Sequence, residues 1–233
     1  MDEHSGNPRQ NVTFPSATAG GRAHGYLARP AGPGPGVLVI QEWWGLDDHV
    51  ASIVDRFAGE GFVALAPDLY GGRVAHDAEE AAGLLRELPV EQAVRDLAGA
   101  VDHLLADDDV TSTAVGAVGF CMGGAFVLRL AAQQGMRVGA AVPWYGLPDP
   151  GTDWTGLTAP VLGHFGAEDT SVPLTAVRET ETRIEEATGV RPEFHVYPAP
   201  HAFYNDERPN YRRDSAELAW QRTVTFLRAH LTP

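Results

Sequence analysis

Between residues 37 and 197, short unbroken apolar runs alternate with amphipathic stretches, and that rhythm constrains the fold more than any other feature of the chain. VLVI (37–40), FVALAP (62–67), AVGAVGF (114–120), VGAAVPWY (138–145), PVLGHFG (160–166) and EFHVY (193–197) have the length and continuity of strands covered on both faces. The intervening patterns predict helices over 48–59, 77–88, 90–106, 123–134, 173–188 and 214–230. Strands separated by helices imply an α/β fold with a doubly wound, mainly parallel sheet. Val12 to Ala17 and Ala23 to Ala28, parted by Gly20-Gly21, add an N-terminal antiparallel hairpin. Residues 1–11 read as a polar, mobile tail, and 12–233 as a single domain. The pieces between strands are too short for a cap domain, so the site opens to solvent and favours small substrates.

Charge narrows the function classes. The chain carries 17 Lys+Arg against 31 Asp+Glu, a formal net charge of -14, and such a surface repels phosphate backbones and anionic lipid. Nucleic acid and membrane are therefore not expected partners. The N-terminus lacks the apolar core of a signal peptide, and no window is apolar enough to span a bilayer, which points to the cytoplasm. The one cysteine, Cys121, has no partner for an internal disulfide, which fits a reducing compartment.

That cysteine lies in Gly119-Phe120-Cys121-Met122-Gly123-Gly124, between a strand run and a helical pattern. Gly-x-Cys-x-Gly-Gly at such a junction is a nucleophile elbow with sulfur in place of a hydroxyl. The turn must be sharp, and glycines on either side leave room where a side chain would strike backbone. The N-H of Met122, opening the helix, is then expected to face a developing oxyanion, and the helix N-terminus favours a thiolate. A buried hydrophobic cysteine and a phosphate-binding glycine turn are the competing readings; the second is weakened because the segment departs from G-x-G-x-x-G and lies mid-chain.

Doubly wound hydrolases place an acid and then a histidine on loops after later strands. Here PVLGHFGAEDTSVP offers Glu168 and Asp169, of which Asp169 is expected to be the acid, and EFHVYPAPHAFY offers His201. Taken singly, Asp169 reads as a loop cap and His201 as a surface histidine. In the required order, each after its own strand, they form with Cys121 the set that nucleophilic catalysis needs. His164 and His195 lie inside strand runs and are assigned to packing or to the sheet surface. His4, His24, His49, His76, His103 and His230 show no metal-ligand spacing, so no metal is expected.

Over roughly residues 12–230 the chain resembles the dienelactone hydrolases, or carboxymethylenebutenolidases, of the α/β-hydrolase superfamily. The resemblance rests on Gln41-Glu42-Trp43-Trp44-Gly45, Pro67-Asp68-Leu69-Tyr70, the cysteine elbow, Gly166-Ala167-Glu168-Asp169, and Tyr197 through Phe203. It implies that Glu42 is a carboxylate near the resting thiol that takes part in activating it, and that the Trp43 N-H is the second oxyanion donor beside Met122. A nearby carboxylate disfavours a standing thiolate and so guards the sulfur against idle oxidation. Family members that act on dienelactone hold its carboxylate with arginines; this chain has His76-Asp77-Ala78-Glu79-Glu80 at the first such place and Asn205 at the second. Arg73, Arg86 and Arg208 lie nearby, each more simply a surface residue. A neutral ester or lactone is thus as strong an expectation as dienelactone. Trp44, Trp144, Tyr145, Phe203 and Tyr204, with Trp43, fall near strand ends and are expected to line an apolar pocket. No organic cofactor is implied. The alternative function is a non-catalytic ligand-binding protein on the same scaffold, and a thiol redox protein would need a resolving cysteine that the chain lacks.

Overall fold

In the computed structural model residues 6–231 are described, and the chain divides into two compact units, Met1–Ser112 and Thr113–Pro233. His4 and the start of the polar tail lie outside the described residues.

The first unit holds β1 (Val12–Pro15), β2 (Arg22–Ala28), β3 (Gly36–Ile40), α1 (Asp48–Gly59), β4 (Val63–Pro67), α2 (Ala78–Glu87) and α3 (Val90–Leu105). Its strands run in the order β1-β2-β4-β3, with β1-β2 and β2-β4 antiparallel and β3-β4 parallel. The predicted hairpin is thus present, with Val12 opposite Gly25 and Pro15 opposite Arg22. Every residue of β3 and β4 is buried, as their unbroken apolar runs require. Asp47 starts α1 by accepting the Val50 N-H at 2.9 Å, and Asp77 starts α2 by accepting from Glu79 and Glu80.

The tail is shorter than its polarity suggests. Asn7 is buried, its amide donates to the Leu46 carbonyl at 3.0 Å, and Gln10 donates to Asp68 at 2.8 Å. A buried carboxylate needs donors. Asp68 also accepts the N-H groups of Tyr70 and Gly72, so residues 7–10 are held by the same acid that organises the Pro67–Tyr70 turn.

The second unit holds β5 (Val115–Phe120), α4 (Met122–Gln134), a turn of 3-10 helix (Gly135–Arg137), β6 (Val138–Trp144), β7 (Leu162–Gly166), α5 (Leu174–Thr188), β8 (Glu193–Tyr197) and α6 (Arg213–His230). Its strands pair in parallel in chain order, β5-β6-β7-β8. Every residue of β5 and β7 is buried, while β8 leaves Val196 half exposed, as befits the last strand of the order. Gly189 ends α5 in the left-handed conformation. The stretch 145–161 between β6 and β7 carries turns and no helix, as expected of a chain without a cap at that point.

One buried polar chain crosses the second unit. His164 is fully buried in β7, with Nδ1 against the Tyr197 hydroxyl at 2.8 Å and Nε2 against the Thr223 hydroxyl at 2.9 Å. Arg222 donates to the Tyr197 oxygen at 3.0 Å, so the tyrosine's own proton is available to His164 Nδ1, which makes Nε2 the protonated ring nitrogen. Burial, with the neighbouring His195 and Arg222, lowers the His164 pKa well below its usual value and keeps the ring neutral.

Candidate active site

The cysteine turn is strained in the way its glycines announce. Cys121 has φ 53° and ψ -116°, outside the conformations an ordinary side-chain-bearing residue favours. It immediately precedes α4, its N-H donates to the Trp144 carbonyl at 3.0 Å, and its carbonyl accepts the Gly124 N-H at 2.9 Å. A Cβ on Gly119 would lie 2.3 Å from the Gly123 oxygen, so the tight crossing of strand and helix is open to glycine alone at that place. A second glycine does comparable work and was not legible in the motif: a Cβ on Gly146 would lie 1.8 Å from the Cys121 oxygen. Its only sequence signal is a glycine two residues past the end of a buried strand.

Three side chains from separate loops of this unit meet at the turn. His201 Nε2 lies 3.1 Å from Cys121 Sγ, and His201 Nδ1 lies 2.7 Å from Asp169 Oδ2. The other carboxylate oxygen, Oδ1, accepts the N-H groups of Ser171 at 2.7 Å and Val172 at 2.9 Å. Asp169 is therefore both the acid facing His201 and the cap that shapes its own loop, so the two readings of it coexist. Asn210 donates to the His201 carbonyl at 3.0 Å and holds the histidine loop from the other side; no motif pointed to it. Ala202, next to His201, has φ 57°, a second strained position beside the imidazole.

The electrostatics follow from these contacts. Burial works against a charged His201 ring, yet its hydrogen bonds to Asp169 and Cys121 and the negative charge at both push its pKa up to about 10. Burial likewise acts to raise the Asp169 carboxyl, but hydrogen bonds from His201, Val172 and Ser171 outweigh it and hold the group below its usual value. These contacts thus favour a protonated His201 ring held between the Asp169 carboxylate and the Cys121 sulfur, with Sγ at the N-terminus of α4. Such a site can present a nucleophilic sulfur, take and return a proton, and keep the ring oriented.

Met122 opens α4 as expected and is half buried. Glu42 lies just after β3 in the first unit and is buried; Trp43 and Trp44 follow it, half buried, with rings 5.1 Å apart edge to face. The aromatic pocket expected from strand-end positions is corrected for four residues. Trp144, Tyr145 and Phe203 have no exposed surface and Tyr204 is 6% exposed, so their side chains are core rather than pocket wall. Trp144 packs on the rings of Phe120, His164 and Tyr204, and Tyr145 meets the His201 ring at 5.2 Å edge to face. Tyr145 is strained too, at φ 37°, and its N-H donates to the His164 carbonyl at 2.7 Å. A residue at a strand end can point into the layer beneath as readily as out of it. Of the candidate substrate arginines, Arg73 pairs with Glu87 at 2.9 Å on the surface, Arg86 is exposed, and Arg208 is half buried. Among the described residues no cluster of His, Cys, Asp or Glu is arranged to hold a metal ion, and no helix is long and apolar enough to cross a membrane.

A strained strand-to-helix turn carrying a nucleophilic side chain, with acid and histidine supplied in that order after later parallel strands, defines the α/β-hydrolase class. The chain belongs to the dienelactone hydrolase family, whose profile matches residues 23–231. It is 34% identical over 222 residues to Protein usf of Aquifex pyrophilus, covering 91% of this chain and 96% of that one. It is 35% identical over 229 residues to a protein of Escherichia coli K12 named provisionally as a carboxymethylenebutenolidase, covering 88% and 82%. A solved structure from Klebsiella pneumoniae, assigned provisionally as a dienelactone hydrolase, superposes with a TM-score of 0.81 at 32% identity, covering 93% and 98%. The family and these names support an enzyme that hydrolyses esters or lactones.

Proposed function

We propose that the protein cleaves a small, uncharged ester or lactone through a Cys121-His201-Asp169 triad and a thioester acyl-enzyme. The observation that carries the reading is the unbroken hydrogen-bonded line Sγ to Nε2, then Nδ1 to Oδ2, at 3.1 and 2.7 Å. His201 Nε2 takes the Cys121 proton, the sulfur attacks the carbonyl carbon and the carbonyl electron pair moves to oxygen, where the Met122 N-H receives it; the family pattern adds the Trp43 N-H as second donor. Removing one such donor costs about 10² to 10³ in rate. The oxyanion collapses, the bond to the alcohol oxygen breaks, and the His201 imidazolium gives its proton to that oxygen. Water then enters; His201 takes a proton from it, hydroxide adds to the thioester, and the thiolate leaves with the acid released. Asp169 keeps Nδ1-H toward itself throughout, so Nε2 is the nitrogen that exchanges protons.

The roles of Glu42 and Trp43 rest on the family pattern, as does the choice of a neutral substrate on the missing arginines. The profile match over 23–231 supports reading 12–233 as one hydrolase domain, and the single cysteine and acidic composition support a cytoplasmic enzyme acting on a small molecule. The test is turnover of short esters, thioesters and lactones, with and without a free carboxylate, by wild type, Cys121→Ala and Cys121→Ser. Turnover of neutral substrates lost in Cys121→Ala is the expected result. No turnover across the panel, with ligand affinity intact in Cys121→Ala, would establish a binding protein instead.

A further inference from the structure

In the same unit as the triad, walled by the segments that follow Gly146 and Asp169 in the chain, lies a cavity of about 210 Å³ that the mechanism leaves unused. We propose that it receives the uncharged, apolar arm of the substrate cleaved at Cys121; the proposal rests on the hydrolase reading above. Its walls include Leu147, Pro148, Trp154, Val172 and Ala176.

Two of these walls are direct continuations of the catalytic loops. Leu147 follows Gly146, whose backbone passes so close to the nucleophile's own peptide that a Cβ there would lie 1.8 Å from the Cys121 oxygen. Adjacent Cα atoms are about 3.8 Å apart, so this wall begins one residue from backbone in contact with the nucleophile. On the other side, Val172 donates its N-H to Asp169 Oδ1 at 2.9 Å, Pro173 caps α5, and Ala176 lies in the first turn of that helix. Trp154 also borders the cavity. A substrate arm leaving the reacting carbon in this direction meets side chains whose backbones are fixed by the residues doing the chemistry.

The lining also selects the arm's character. Leu147, Pro148, Val172 and Ala176 offer aliphatic surface. The charged groups of the lining are Asp149, Glu179 and Arg183: the arginine donates to the Pro150 carbonyl, Asp149 pairs with Arg129 outside the cavity, and the two carboxylates oppose an anionic arm. Nothing here rewards a carboxylate, in keeping with the -14 net charge. The volume is below the roughly 300–1,000 Å³ of pockets that enclose a whole drug-sized ligand, so it suits part of a substrate. At about 30 Å³ per water-sized group, it has room for roughly seven non-hydrogen atoms.

The experiment uses two homologous series: p-nitrophenyl esters of straight-chain acids from acetate to octanoate, and acetates of straight-chain alcohols from methanol to hexanol. With wild type, kcat/KM is expected to rise about fourfold per methylene in one series, the increment for burying a CH₂, and to level off once the cavity is full. Ala176→Phe fills the cavity and is expected to lower the hexyl-to-shortest ratio at least tenfold; Ala176→Leu, a smaller intrusion, shows the same direction if the bulkier variant does not fold. A flat profile in both series, or an unchanged slope in a folded Ala176 variant, overturns the subsite while leaving the hydrolase reading intact, provided turnover disappears in Cys121→Ala. Wild type without Cys121-dependent turnover overturns both.

Discussion

Asp169→Asn isolates what the carboxylate does, because the amide is nearly isosteric and one of its two ends can keep its present contacts. With the amide oxygen toward Ser171 and Val172, both backbone hydrogen bonds to Oδ1 survive, and the loop should hold its shape. The amide nitrogen then faces His201 Nδ1, where Oδ2 now accepts at 2.7 Å. Two N-H groups cannot face each other, so the ring shifts its proton to Nε2, the nitrogen 3.1 Å from Sγ, and loses the ability to take a proton from cysteine or water. The same substitution in a serine-protease triad lowers kcat about 10⁴-fold, and at about 1.36 kcal/mol per decade that loss is about 5.4 kcal/mol of transition-state stabilisation. The opposite rotamer, with nitrogen toward Ser171 and Val172, would sacrifice two hydrogen bonds worth about 0.5–1.5 kcal/mol each and is therefore disfavoured. We expect a fall in kcat of about 10³ to 10⁴ on the best short-chain ester, with a thermal midpoint within a few degrees of wild type. Steady-state kinetics paired with a calorimetric scan checks both. A folded variant that loses less than tenfold would refute the assignment of Asp169 as the residue that sets the His201 tautomer.

Gly146→Ala is expected to lower kcat by more than tenfold, because the new Cβ falls 1.8 Å from the Cys121 oxygen and must displace the nucleophile's peptide; activity with a circular-dichroism control for folding reads the effect. His164→Leu removes the ring partner of both the Tyr197 and Thr223 hydroxyls in the core, leaving Tyr197 only its bond from Arg222, and at about 1–3 kcal/mol for a buried group left unpaired urea unfolding should register a clear drop in midpoint. The His201 pKa is raised to about 10 in the folded chain against an ordinary 6.5, so its contribution to stability is complete below about pH 6.5 and is lost as pH rises through 10. The stability gap between wild type and His201→Gln, measured by urea unfolding from pH 6 to 10.5, should therefore narrow with rising pH. Iodoacetamide alkylation distinguishes a standing thiolate from a guarded thiol: if Glu42 suppresses the anion, Glu42→Gln should react faster than wild type near neutrality, and equal rates would remove that role from Glu42.

How much of this was legible in the sequence depends on whether a residue's task is set by local spacing or by what lies across the fold. The cysteine turn could be read because its requirement is local: Gly119 is needed where strand and helix cross, and the motif states it. Asp169 and His201 could be read because parallel strands deliver their following loops to one sheet end in chain order. Gly146 and Asn210 could not, since one is required by the backbone of Cys121 and the other by the carbonyl of His201, contacts that no short pattern encodes. The aromatic residues failed for a different reason. Their positions near strand ends were right, but period and spacing do not say which way a ring turns once the backbone leaves the strand, and Tyr145, at φ 37°, is fully buried. The tail was misjudged from Asn7 onward because polarity was taken to mean solvation, whereas a buried carboxylate at Asp68 draws in amide donors from residues 7 and 10.

The inward turn of those aromatics bears on how the site keeps its geometry. Cys121 is held from below by the Trp144 carbonyl, Trp144 lies on the neutral His164 ring at 4.4 Å, and Tyr145 accepts its strained conformation while donating to the His164 carbonyl and bracing the His201 ring. His164 is in turn fixed at both ring nitrogens by β8 and α6. Strain at Cys121, Tyr145 and Ala202, each of order 1–3 kcal/mol, persists only where surrounding contacts over-determine the conformation, and this polar and aromatic floor supplies them. In the proposed mechanism, the placement of Cys121 and His201 thus depends on a layer of buried rings and hydrogen bonds beneath them. Tyr197→Phe would test that dependence: it removes the hydroxyl that links Arg222 to His164, and a fall in kcat with KM unchanged would show that the floor sets reactivity rather than binding.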